Sequence, residues 1–239
     1  MTSETRNIYM VRHLERIDGD DGTRDETKEW NSGNKITYKE NPYLIQRPSI
    51  QKIIDNLRGK HIDHIVCSPF LRCIQTAILI SNSSEVDIAN RNIIINFELG
   101  ELASIDMGLT LPLDLEKIYA QSKDYLSKKG IGTEFPFDES HIKPLVFAED
   151  ETDDQYNLRI LNVMRDMFKK LSGNILFVTH SDAVIPFNNG RRMNYGIIYS
   201  IPEEIVGKVE DVDSEESTYE RKYLKYKNKY LNLKKMLKF

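Results

Sequence analysis

Four short segments of this chain carry side chains able to handle a phosphoryl group: Arg12-His13, Ser68-Pro69-Phe70-Leu71-Arg72, Glu98 with Glu101, and Thr179-His180-Ser181. An arginine fork binds phosphate oxygens bidentately and keeps its charge. A neutral imidazole can attack phosphorus, and a carboxyl group can protonate a leaving oxygen. Each residue alone has a structural explanation: a histidine satisfied in the core, or a helical arginine paired with an acid. Two arginines, two histidines and a carboxylate together form a constellation for phosphoryl transfer. His61, His64 and His141 sit at no recognised ligand spacing and are read as structural. No metal or other cofactor is expected.

The elements that must position these groups are legible around them. Each segment follows a predicted strand: Ile8 to Val11, His61 to Cys67, Ile93 to Ile95, and Ile175 to Val178. Helical spacing separates the strands. Ile50, Ile53, Ile54 and Leu57 follow Pro48-Ser49, and Gly59 ends that run. Leu71, Ile74, Ala77 and Ile78 line a second helix. Asp154 to Leu171 is a third, lined by Leu158, Leu161, Val163, Met164, Met167 and Phe168. Strands alternating with helices predict an α/β fold, a three-layer α/β/α sandwich with a mostly parallel central sheet. The carboxyl ends of parallel strands share one rim, so the four segments converge there. The polar stretch 18–41, which holds Trp30, reads as a long loop, and Leu99 to Phe147 as an inserted, partly helical cap.

The chain has 239 residues, 40% of them hydrophobic, enough for one sizeable core with an appendage. A net charge of −4 excludes a nucleic-acid-like basic field for the main domain. No apolar run approaches the roughly 18 residues a membrane span needs. Met1 to Asn7 lacks the apolar core of a signal peptide. Cys67 and Cys73 match no CxxC spacing and read as buried small hydrophobes, which favours a cytoplasmic protein without disulfides. The expected organisation is a main domain at 1–205 with insertions near 18–41 and 102–147, an acidic linker at 206–216, and a basic helix or short coiled coil at 217–239. Tyr219, Tyr223, Tyr226, Tyr230, Leu233 and Leu237 form an a/d heptad seam. That helix either docks on its own domain or self-associates, making a homodimer possible.

The motifs resemble those of the histidine phosphatase superfamily, the phosphoglycerate-mutase-like fold. Its Ser-Pro-x-x-Arg-x-x-Gln-Thr-Ala signature is intact as Ser68 to Ala77, its Arg-His-Gly is Arg12-His13-Leu14, and its later Thr-His is Thr179-His180. Glu15-Arg16-Ile17-Asp18 is similar to the first-motif continuation of UBASH3/Sts-type phosphatase domains, and Asn41 to Gln51 resembles the stretch before their first helix. The Lys/Tyr/Leu-rich tail resembles those of giant DNA virus proteins of the mimivirus group, which implies a host cytoplasm or virion location.

The resemblance implies a metal-independent phosphatase that hydrolyses phosphate monoesters through a phosphohistidine. His13 would be the nucleophile, and Arg12, Arg16, Arg72 and His180 would bind the phosphoryl group. Glu101, with Glu98 as rival, would be the general acid. The substrate would be a phosphorylated small molecule or phosphoprotein. Leu14 departs from the family glycine. It motivates an alternative: a weakened or inactive module that binds phosphorylated ligands and scaffolds through its C-terminal helix. A mutase would carry an intact Arg-His-Gly and a long glycerate-binding insertion, and neither is found.

Overall fold

Successive residues of the central strands point to opposite sides of one sheet, and each side has its own core. In β1 (Ile8–Arg12), Tyr9 and Val11 join one apolar cluster while Ile8 and Met10 join the other. The same alternation divides β3 (His64–Cys67), β5 (Ile93–Ile95) and β9 (Ile175–Thr179). These strands are apolar throughout because both of their faces are covered. The computed structural model describes residues 6–16, 44, 49–103, 112–131, 137–188 and 190–206.

The other elements are α1 (Ser49–Leu57), β2 (His61–Ile62), α2 (Leu71–Ser81), β4 (Asp87–Ile88), β6 (Leu113–Asp114), α3 (Leu115–Lys128), β7 (Phe137–Asp138), β8 (Val146–Phe147), α4 (Asp153–Lys170), β10 (Ile198–Ile201) and α5 (Glu203–Val206). The main sheet runs β10-β1-β9-β3-β5-β7. All pairings within it are parallel except that of β1 with the edge strand β10. Helices α1, α2 and α3 pack on one face and α4 on the other. The protein is therefore the expected α/β fold, with a mostly parallel sheet flanked by helices.

Four differences from the sequence reading have physical causes. The run from His61 to Cys67 is two strands, because at Asp63 the chain leaves a small ladder with β4 and enters the main sheet. The buried stripe of α4 is Tyr156, Ile160, Val163, Met164 and Met167, while Leu158 is 49% exposed. Its orientation is set by that stripe meeting the sheet rather than by every apolar residue it carries. The stretch expected as a cap contains α3, whose Leu115, Ile118, Tyr119 and Leu126 sit in the main core. Strands β7 and β10 were not anticipated. Both are edge strands that are only partly buried, so neither is the fully apolar run that marks the central strands.

Helix α4 starts at a capping box in which Thr152 and Gln155 satisfy each other's backbone N–H groups. Among the described residues no helix is long and apolar enough to cross a membrane. The loop 18–41 with Trp30, the linker beyond residue 206 and the heptad seam at 219–239 lie outside the described residues.

Candidate active site

The carboxyl ends of β1, β9, β3 and β5 lie side by side, and each delivers one part of the site. His13 follows β1 and is held by its backbone N–H, which donates to the Thr179 carbonyl (2.9 Å). Its ring is 1% exposed. Nδ1 lies 2.7 Å from the Leu14 carbonyl oxygen. A carbonyl can only accept, so Nδ1 carries the proton and Nε2 keeps its lone pair. Burial first, and then the charge of Arg72, hold this imidazole well below the ordinary histidine value, and Arg12 and Arg16 act in the same direction. The neutral form needed of a nucleophile is thus the resting form.

The turn after β1 is fixed by α2. The Leu14 N–H donates to Thr76 Oγ1 (3.0 Å), and the Thr76 hydroxyl donates to the Arg72 carbonyl (2.8 Å). Thr76 belongs to the Ser68–Ala77 motif, and its spacing from Arg72 places it one helical turn further on. Leu14 itself is fully buried and belongs to the hydrophobic cluster of the α1–α2 side.

Arg72 is also buried, at the start of α2. Its Nη2 donates to Glu101 Oε2, and to His180 Nδ1 at 3.3 Å. Because arginine only donates, Nδ1 of His180 is the acceptor and Nε2 carries the proton, which goes to Ser68 Oγ (2.9 Å). Both nitrogens of His180 are engaged, so in this structure it orients Arg72 and stands edge-on to His13, with ring centroids 5.5 Å apart. Donation from Nε2 to a phosphoryl oxygen requires the Ser68 contact to be given up. Burial, then Arg72 and His13, keep this imidazole neutral as well.

Arg72 Nε and Nη1 and Arg12 Nε are buried without a hydrogen-bond partner among the described residues. Unpaired guanidinium N–H groups at a rim are what an anion would satisfy. Arg12 is held by the Met193 carbonyl (3.4 Å) and lies over the Tyr195 ring at 3.8 Å. Arg16 bridges to Leu44, and its charge reaches both histidines.

The two candidate acids separate. Glu101 is 8% exposed and sits against Arg72, with Oε1 3.7 Å from His180 Nδ1. Glu98 turns to Lys143 at 3.8 Å. Cys73 Sγ lies 3.7 Å from His180 Nε2, but burial pushes its thiol up to about 12, so it is no competing nucleophile. Cys67 and Cys73 are both free and buried, as their spacing suggested.

The structure thus brings together Arg12, His13, Arg72, Glu101 and His180, with Arg16 beside them and Glu98 turned away. Sequence reasoning missed Ser68 and Thr76 as supports, though both lie inside a recognised motif. Tyr195 it could not find, because no motif surrounds it.

A parallel α/β rim that holds a neutral, buried imidazole among arginines and a carboxylate has the groups that an anionic ester would meet. The chain belongs to the histidine phosphatase superfamily (branch 1), whose family model matches residues 28–185, and is a phosphatase enzyme. That span includes Arg72, Glu101 and His180; Arg12 and His13 lie before it, joined to them by the sheet. The chain is similar in fold to the ecdysone phosphate phosphatase of Bombix mori, solved with tungstate, at 21% identity and TM-score 0.50, covering 89% of this chain and 83% of that one. It also aligns with Bacillus stearothermophilus YhfR at 14% identity and TM-score 0.48, over 83% of this chain and 91% of that one. An α-ribazole-5'-P phosphatase candidate from Escherichia coli K-12 aligns at 14% identity and TM-score 0.45, with the same coverage. No curated protein sequence matches the chain significantly.

Proposed function

We propose that the protein hydrolyses phosphate monoesters without a metal, through a phosphohistidine formed at His13 Nε2. The observation that carries this reading is the Nδ1–H contact to the Leu14 carbonyl, which fixes the tautomer and leaves the other nitrogen free. The unpartnered N–H groups of Arg72 and Arg12 would hold the phosphoryl oxygens as charge shifts during transfer. Arg16 would add to that positive field, and His180 would stabilise the transferring group once its Nε2–H leaves Ser68. A phosphoryl group that takes up Arg72 loosens its hold on Glu101. The released Glu101 carboxylate takes up a proton from the monoanionic ester or from solvent, gives it to the leaving oxygen, and then as carboxylate accepts one from the water that attacks the phosphohistidine. The substrate is a phosphorylated small molecule or phosphoprotein.

The reading of a weakened binding module rests on Leu14. Its side chain lies in the hydrophobic cluster, which supports the active reading instead. The test is turnover of p-nitrophenyl phosphate from acid to neutral pH, with and without vanadate. Turnover blocked by vanadate and abolished in His13→Ala is expected. Binding of phosphate esters with no release of phosphate, seen as a thermal shift alone, would favour the module.

A further inference from the structure

We infer that Arg159 and Glu151 form a buried clamp that positions Glu101 for proton transfer; the inference rests on the reading of Glu101 as the general acid. Arg159 projects from α4, more than fifty residues beyond the acid, and its side chain is 10% exposed while that of Glu151 is 5%. A guanidinium has five N–H donors in a fixed plane, and every one is used here. Nε donates to Glu151 Oε1 (2.8 Å). Nη1 donates to the Glu98 and Gly100 carbonyls, the latter at 3.1 Å. Nη2 donates to the Glu101 carbonyl (3.3 Å) and to Glu151 Oε2 (2.6 Å). The guanidinium carbon lies over the rings of Phe147 and Tyr156, 4.9 Å from each centroid.

Glu151 completes the clamp from the other side. Its backbone N–H donates to the Ala103 carbonyl (2.7 Å), and its carboxylate accepts from the Ala103 N–H (3.3 Å). Thr179 Oγ1 donates to the Leu99 carbonyl at 3.0 Å. Four consecutive carbonyls, from Glu98 to Glu101, are therefore tied to groups outside the loop, three of them to one side chain. A loop with no regular structure from Gly100 to Ala103 thereby acquires the rigidity that a transferred proton demands, where about 1 Å of misplacement is costly. Neither residue hydrogen-bonds a side chain assigned to the phosphoryl site; the charge of Arg159 is felt by His180, and both residues reach Glu101 through the backbone that carries it.

A general acid matters most when the leaving group is poor. Phenyl phosphate and p-nitrophenyl phosphate have similar shapes, but phenolate leaves far less readily. The ratio of their kcat/KM values reports leaving-group protonation and cancels any loss of folded enzyme. Because kcat/KM covers steps up to phosphoryl transfer, the later role of Glu101 toward water drops out. Arg159→Lys keeps the charge but not the planar fork, and Glu151→Gln keeps the shape but not the charge. Each should lower the phenyl to p-nitrophenyl ratio about tenfold, a part of the 10²–10⁴ that general acids contribute. Glu101→Gln should lower it at least as far, and adding Arg159→Lys to Glu101→Gln should lower it no further. If Glu101→Gln lowers the ratio while Arg159→Lys and Glu151→Gln leave it unchanged, the clamp is only structural and the inference fails. If Glu101→Gln itself leaves the ratio unchanged, the assignment of Glu101 as acid fails first.

Discussion

Replacing Leu14 by the family's glycine should damage the protein rather than repair it. The side chain is fully buried and packs within the cluster built by Val11, Ile53, Phe70 and Ile74. Removing such a leucine down to Cβ costs about 2–5 kcal/mol, as lost transfer energy plus the cavity left behind. Glycine adds roughly 0.5–1 kcal/mol of backbone freedom in the unfolded chain. Leu14→Gly should thus lose about 2.5–6 kcal/mol, or roughly 5–24 °C in Tm for a domain of this size. Leu14→Ala isolates the packing part and should account for most of it. The assay is urea unfolding followed by intrinsic fluorescence, with p-nitrophenyl phosphate turnover measured on the folded fraction. No gain in kcat is expected. A variant as stable as the wild type, with turnover raised tenfold or more, would show that Leu14 obstructs the site instead of packing the core.

Two further outcomes follow from the same geometry and a third from the sequence of the tail. His13 and His180 both titrate below the value near 6.5 that the unfolded chain would show, so the unfolded state binds protons that the folded state refuses. Stability is full above about pH 6.5 and falls as pH drops below it, by up to about 1.4 kcal/mol per pH unit for each imidazole. The slope of urea midpoints between pH 6.5 and 5.5 should be shallower in His180→Asn; equal slopes would contradict the burial argument. His61, raised by its hydrogen bond to Asp87, works in the opposite direction but equally in both proteins. Arg72→Met leaves the Glu101 carboxylate without its buried partner, so a loss of about 3–5 kcal/mol is expected by calorimetry. Turnover of the surviving enzyme should drop about 10²–10³-fold. Deleting residues 217–239 should halve the mass measured by light scattering if the heptad seam joins two copies, and an unchanged mass would end that idea.

Much of the site could be read before any coordinates, because its residues are adjacent in sequence to strands that are strongly apolar. Arg12-His13, Arg72 and Thr179-His180 each sit within a few residues of such a strand, and parallel strands deliver their ends to one rim. Glu101 was preferred to Glu98 only through the family resemblance, because Glu98 lies in one short 3₁₀ turn and Glu101 just after it, and the residue that distinguishes them, Arg72, is buried on another element. The exposed Leu158 was misplaced because helical spacing gives a face, not the partner that selects it. Arg159 and Tyr195 left no trace in the motifs. Arg159 meets the Glu151 carboxylate and loop carbonyls, and Tyr195 meets Arg12, all brought near by the fold without a sequence signature.

The most direct test is chemical capture of the intermediate. The enzyme is mixed with p-nitrophenyl phosphate, quenched in alkali, where phosphohistidine survives and acyl phosphates do not, then digested and analysed by mass spectrometry. The account predicts a phosphoryl group on the imidazole of His13, absent from His13→Ala. Rapid turnover with no phosphorylated His13 peptide, or the label on another residue, would contradict it.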